Sequence, residues 1–201
     1  GIGAAMTYFT TAIIIRYFTY NGSYTDFNKL IVHGELSREL LRPIELIKQI
    51  FFKVLGNRAM ALIVEITPIV TAVALIFGID AIIPTHPLLF ITGLVLAIIL
   101  LYLWNYLIGL TSFWTKKTHG MRMISWSIYL FASGFSFPLD ILPTSLQTIS
   151  AYMPFQHFVF APVKYFSGTF SLGPITSATS NLLIAGVWLI ILTFTVVIVE
   201  R

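Results

Sequence analysis

The sequence contains no cysteine. That absence excludes a disulfide framework, thiolate metal sites and cysteine nucleophiles together. Charge is also scarce. Asp, Glu, Lys and Arg make up 10% of 201 residues, against 57% hydrophobic. A soluble domain carries about a quarter charged residues, so a water-soluble fold is excluded. Disorder is excluded by the same apolar content. No P-loop is present, so the chain is not expected to hydrolyse ATP by itself. HExxH and GxSxG are missing too. His33, His86, His119 and His157 are scattered over connecting segments without a paired spacing, so no metal site is expected. The strict apolar–polar alternation of a membrane β-barrel is absent, as are internal repeats and a second soluble domain.

What is there is a set of long apolar runs. About 20 such residues cross ~30 Å of hydrocarbon. Five runs meet or approach that length: residues 1–20, 59–78, 88–110, 121–137 and 178–199. The expected fold is therefore an all-α polytopic membrane protein, a single transmembrane domain over residues 1–201, because backbone groups in lipid are satisfied within each helix. The 12 basic residues lie between these runs rather than on a soluble face. Nucleic acid is therefore not an expected partner; setting membrane orientation is their expected task. The segment from Arg16 to Arg58, the segment holding Lys116, Lys117 and Arg122, and the C-terminal Arg201 carry eleven of the twelve; only Lys164 falls elsewhere. The positive-inside rule puts those three segments in the cytoplasm. With five spans Gly1 then lies outside, and an earlier span before Gly1 is expected.

Two connections are more than linkers. Between the first two runs, Gly34 is a break and Pro43 suits a helix start. After it, Ile44, Ile47, Ile50, Phe51, Val54 and Leu55 recur at helical spacing. They predict a cytoplasmic amphipathic helix along the inner interface. Just before it, Glu35, Arg38, Glu39 and Arg42 cluster, and on a helix they form two attractive i,i+3 pairs. Read alone, the cluster is a solvated, self-paired turn or a docking surface. On the outer side, residues 139–177 carry Pro143, Pro154, Pro162 and Pro174 among many aromatics. That stretch is too apolar for a free loop and too broken for a straight span. It predicts a re-entrant or interfacial pair of short helices, its rings packing the bundle or sitting at headgroup level.

Glu65 is the acid set within a span. A charge at the bilayer centre costs about 2.5–3.5 kcal/mol on insertion scales. It reads either as part of a substrate path or proton relay, or as a bundle-facing residue near the inner interface. Asn105 suits an interhelical hydrogen bond, and Pro68 a kink. Asp80 and Asp140 flank outer helix ends, as caps or water-facing groups. Ser133 and His157 share no recognisable catalytic spacing. An ion- or proton-coupled secondary transporter using Glu65 is the alternative to the reading below.

The stretch Gly34-Glu35-Leu36-Ser37-Arg38-Glu39-Leu40-Leu41-Arg42-Pro43 resembles the G-x-L-x-x-x-L-L-R-P pattern of type-2 ABC exporter permeases. Ser133-Gly134, then Pro138-Leu139-Asp140-Ile141-Leu142-Pro143, then Tyr152-Met153-Pro154-Phe155 follow the order of that family's small-residue span, P-L-D-x-x-P turn and Y-x-P-F element. The resemblance implies a permease subunit of a bacterial ATP-driven exporter in the plasma membrane, with six helices and both termini inside, the first helix missing here. It also implies a second permease subunit, homo- or heterodimeric, and a separate ATP-binding subunit holding ATP and Mg²⁺, with membrane lipid around them. By position it makes Glu35, Arg38, Glu39 and Arg42 the coupling surface to the ATPase. It makes Asp140, Pro143 and Pro154 part of an outer re-entrant element. Glu65 and Asn105 remain candidate pathway residues by their polarity alone.

Overall fold

A computed structural model describes residues 2–32, 34–113 and 119–200. Gly1, His33, Lys116, Lys117 and Arg201 lie outside the described residues, as do the side chains of Asp80 and His119. Helices run through almost all of the described chain: α1 Ile2–Thr19, α2 Ser23–Val32, α3 Leu36–Leu40, α4 Leu46–Ala61, α5 Thr67–Phe77, α6 Pro87–Leu110, α7 His119–Ala132, α8 Thr144–Tyr152, α9 Phe160–Ser167 and α10 Ala178–Glu200. Among the described residues the only β pairing is an isolated bridge between Leu172 and Ile175.

The bundle is built around α6. Apart from Asn105 its inner half is apolar on every side, and Leu100, Leu101, Tyr102, Leu103 and Tyr106 are all buried. A helix of that kind belongs at the centre of a core, and α6 packs against α1, α2, α7, α9 and α10. The outer helices reverse the pattern of a soluble protein. On α10, Leu183, Val187, Ile190, Ile191, Phe194 and Val197 recur at helical spacing and are exposed. Leu75, Ile76 and Phe77 are exposed together at the end of α5. An apolar face of this extent is stable only against lipid or another apolar surface.

Three helices among the described residues are long and apolar enough to cross a membrane: Leu46–Phe77, Pro87–Leu110 and Ala178–Glu200. The expected count of five is not reached. α1 has 18 residues and carries Arg16 in its last turn. α7 has 14 residues, about 21 Å at 1.5 Å per residue. It stops at Ala132 rather than at residue 137, because Gly134 takes a left-handed φ of 83° that turns the chain.

The amphipathic helix expected after Pro43 is not a separate element. α4 runs through a π-helical turn, Leu62–Ile66, straight into α5, giving 32 continuous residues. At 1.5 Å per residue this is about 48 Å, well beyond the ~30 Å of hydrocarbon, so one end stands clear of the apolar layer. Nothing in the sequence stops it. Gly56 is tolerated inside a helix, and Pro68 is absorbed by the π turn. Ile47, Ile50, Phe51 and Val54 face the core, whereas Ile44 and Leu55 are exposed. Phe51 meets the Tyr102 ring edge-on at 5.0 Å, and the Tyr102 hydroxyl donates to the Ile47 carbonyl at 2.5 Å. The inward face is thus covered by protein rather than laid on an interface.

The segment after α7 folds back along α6. Phe155 meets Trp104 at 5.0 Å, and Phe166 meets Phe90 at 5.3 Å. These partners on α6 are fourteen residues apart, about 21 Å along its axis. The Thr85 N–H donates to the Phe166 carbonyl at 2.9 Å and closes the climb.

Candidate functional site

Two local breaks shape the site. The first is the turn between α1 and α2. Asn21, Gly22 and Ser23 are turn-forming residues. The Asn21 Oδ1 accepts from Ser23 Oγ at 2.9 Å and from Asn105 Nδ2 at 3.0 Å. Asn105 therefore ties this turn to α6. The second break is the π turn that holds Glu65. Pro68 has no N–H for the carbonyl four residues back, and its ring would strike that carbonyl, which belongs to Val64. Widening the helix to a π turn relieves the clash. Such turns re-aim side chains and recur at functional sites.

Between these breaks, α1, α2, α4, the π turn, α6 and α7 border a half-open cavity of about 470 Å³. Its wall includes Arg16, Arg58, Arg122, Glu65 and Asn105. Tyr17, Tyr20, Tyr24, Trp126 and Tyr129 add aromatic surface. The Arg16 guanidinium stands 5.2 Å from the ring centres of both Trp126 and Phe135, and Arg58 stands 4.8 Å from that of Tyr20. Trp126 stacks on Tyr129 at 5.6 Å. Trp104 Nε1 donates to Ser125 Oγ at 3.0 Å, fixing α7 against α6. Burial raises the pKa of the Tyr24 hydroxyl. The two candidate pathway residues, Glu65 and Asn105, thus line one cavity: Asn105 is buried in its wall and Glu65 is exposed at its edge.

The three arginines were legible only as orienting charges. Each sits near the end of an apolar run. The signal for their convergence is the aromatic residue placed within four positions of two of them: Tyr17 and Tyr20 after Arg16, and Trp126 after Arg122.

The charged cluster forms the two expected i,i+3 pairs. Arg38 lies 3.9 Å from Glu35, and Arg42 lies 3.1 Å from Glu39. Arg38 also approaches Glu39 at 3.7 Å. Glu39 is mostly covered, while both arginines are exposed. The Gln49 side chain donates to the Glu39 carbonyl at 3.3 Å and to the Ile44 carbonyl at 2.6 Å, so it pins α3 to α4.

The outer segment is held by its own polar network. Asp140, expected as a cap or water-facing group, pairs with Lys164 at 2.6 Å. The Gln147 side chain donates to the Asp140 and Leu142 carbonyls, both at 2.8 Å. Pro143 stands at the N-cap of α8, and Pro154 opens a buried 3-10 turn. Gln156 Nε2 donates to Asn181 Oδ1 at 3.0 Å, and Asn181 Nδ2 donates to the Tyr165 hydroxyl at 2.8 Å. The Tyr8 hydroxyl donates to the Gly134 carbonyl at 2.6 Å, joining α1 to the turn after α7. Ser133 donates its hydroxyl to the Tyr129 carbonyl. His157 is buried, and desolvation lowers its pKa from 6.5 to about 4, so it is neutral near pH 7.

Outward-facing apolar helices around a polar, arginine-lined cavity define an integral membrane protein. The family described as ABC-2 family transporter protein matches residues 2–199, and the chain belongs to it. Membership makes it a transport component of an ABC transporter rather than a catalytic one, and implies association with an ATP-binding subunit. The resemblance carried by the two sequence motifs is thereby met over almost the whole chain. No curated protein and no solved structure matches the chain.

Proposed function

We propose that this chain is the permease subunit of an ATP-driven exporter in the bacterial plasma membrane. The observation that carries the reading is the family match across residues 2–199. A separate subunit supplies the nucleotide chemistry, holding ATP and Mg²⁺. A second permease subunit, identical or related, completes the pathway and covers part of the apolar surface, with lipid on the rest. The eleven basic residues that the positive-inside rule groups together put the charged cluster and the arginine-lined cavity toward the cytoplasm.

Coupling runs through Glu35, Arg38, Glu39 and Arg42. Their side chains are held by one another, which gives the partner a preset surface rather than flexible charges. A push on α3 passes to α4 through Gln49 of α4, which binds the Glu39 carbonyl on α3 and the Ile44 carbonyl in the connection. From Leu46 the same helix runs to Glu65, about 29 Å at 1.5 Å per residue. Movement at the docking surface thus reaches the cavity edge along one continuous helix that ends in the π turn, as a rigid-body switch requires. Asp140, Pro143 and Pro154 belong to a re-entrant element that closes the outer end; the 21 Å climb of this segment along α6 supports that assignment.

The test is purification in mild detergent followed by ATPase assay of what co-purifies. An ATP-binding subunit is expected, its hydrolysis modulated by the permease. Charge reversal of Arg38 and Arg42 should uncouple that hydrolysis from transport. Transport that survives loss of the ATPase and fails in Glu65→Gln would instead establish a proton- or ion-coupled carrier.

A further inference from the structure

We propose that the cavity recognises a phosphate ester on the cargo, held by Arg16 and Arg58. The inference rests on the permease reading only for the word cargo; the binding itself stands on the cavity. Arg16 and Arg58 bring two guanidinium groups to its wall. Among the described residues, neither Arg16 nor Arg58 meets a carboxylate within ion-pair distance; Glu65, the acid of that wall, forms no such pair. Half-buried cationic groups beside an apolar layer carry part of a desolvation cost that a counter-anion offsets.

The aromatic partners hold the guanidinium groups without consuming them. Arg16 stands against Trp126 and Phe135, and Arg58 against Tyr20. A ring engages the flat face of a guanidinium; the N–H edge stays directed at whatever occupies the space beside it. That edge is a planar fork matched to the paired oxygens of a phosphate or carboxylate. The two guanidinium groups of Arg16 and Arg58 match the double charge of a phosphate monoester better than the single charge of a carboxylate.

The rest of the wall suits an organic body attached to the phosphate. The volume of about 470 Å³ falls within the ~300–1,000 Å³ typical of small-molecule sites. Tyr17, Tyr24 and Tyr129 offer both apolar faces and hydroxyl groups. The same phosphate chemistry has two sources, a lipid headgroup or a water-soluble phosphate ester, and they are separated experimentally.

The experiment measures binding to the full chain purified in non-ionic detergent, read by tryptophan fluorescence and checked by calorimetry. The probes are dioctanoyl phosphatidic acid, dioctanoylglycerol and glycerol 3-phosphate. Phosphatidic acid is expected to bind at least tenfold more tightly than the uncharged diacylglycerol. Glycerol 3-phosphate binding as tightly as phosphatidic acid identifies a soluble ester; much weaker binding identifies a lipid. Arg16→Gln and Arg58→Gln should each weaken phosphate binding about tenfold or more, and Lys48→Gln should leave it unchanged. Arg16→Lys and Arg58→Lys keep the charge and the fold, and should recover part of the affinity. Equal binding of the phosphate and uncharged probes overturns the proposal, as does phosphate binding indifferent to both Gln variants in protein that elutes as a folded species. A chain that binds phosphate through these arginines but neither associates with an ATPase nor transports would overturn the permease reading alone.

Discussion

A single added methyl group at Gly93, buried in α6, should damage the bundle far more than the same change at an open helix position. A Cβ built there would lie 2.4 Å from Cδ2 and 2.7 Å from Cε2 of Tyr165. Ordinary contact begins near 3.4 Å, so the ring has to retreat by about 1 Å. Its hydroxyl accepts from Asn181 Nδ2 at 2.8 Å. A retreat of that size stretches the bond beyond hydrogen-bond range. Overpacking costs about 1–3 kcal/mol, and a buried hydrogen bond lost contributes about 1 kcal/mol more. Gly93→Ala is therefore expected to destabilise by about 2–4 kcal/mol, a fall in Tm of about 5–15 °C for a chain of this size.

Gly56→Ala is the control. It sits in α4 with nothing within 4 Å of the added atom. There alanine should stabilise by about 0.5–1 kcal/mol, the ordinary gain in helix propensity. The same chemical change thus has opposite signs at the two sites. Thermal unfolding of the detergent-solubilised protein, followed by gel filtration of the surviving fraction, reads both. Tyr165→Leu removes the ring and should recover much of the Gly93→Ala loss, with a coupling of at least about 1 kcal/mol in the double-mutant cycle. Equal Tm values for the two glycine variants, or additive effects of Gly93→Ala and Tyr165→Leu, would refute the close approach of α9 to α6.

Three further outcomes follow from other parts of the molecule. The absence of cysteine makes a single introduced thiol unambiguous. Glu65→Cys should react with a water-soluble maleimide, and adding Pro68→Ala should slow that reaction severalfold, because a restored N–H lets the π turn close and rotates position 65 by about 100°. His157 has its pKa depressed to about 4 from 6.5 by burial. Between those values the unfolded chain binds the proton and the folded chain does not, so stability is full above pH 6.5 and falls as pH drops toward 4, by up to about 3 kcal/mol. Unfolding of the parent and of His157→Gln across pH 4–7 should show that slope only in the parent. Asp140 and Lys164 are partly exposed, so their cycle should give no more than about 1 kcal/mol, reduced further in high salt.

The two motifs and the apolar runs were enough to indicate the helical class, the family and the order of the main elements. They misjudged where helices end. α4 and α5 read as two elements because the composition changes near Ala59, from mixed to apolar. Composition sets which solvent a helix meets, not whether its hydrogen-bond ladder is interrupted, and between Leu46 and Phe77 only Pro68 attacks the ladder. α7 was read five residues too long because Phe135 and Phe137 continue its apolar run. The left-handed turn at Gly134, against which Phe160, Leu139 and Tyr8 close, depends on contacts far away in sequence. The cavity was half legible. Glu65 and Asn105 stood out as polar groups in apolar runs, while Arg16, Arg58 and Arg122 blended into the count of orienting charges.

That blending has a physical basis, since orienting a helix and lining a cavity make the same demand on an arginine. An arginine that fixes topology holds its helix end at the depth where its guanidinium meets polar surroundings. Arg16, Arg58 and Arg122 come from three separate helices, and all three reach one space. Three helices tethered at one depth bring their polar ends together whether or not a ligand exists. What distinguishes a binding space from such a coincidence is the treatment of the charge. At the opposite end of the bundle the lone Lys164 is neutralised directly by Asp140 at 2.6 Å. In the cavity, Arg16 and Arg58 are held by rings instead. A ring fixes a guanidinium but leaves its net charge in place, so Arg16 and Arg58 keep their charge beside the open space whereas Lys164 does not.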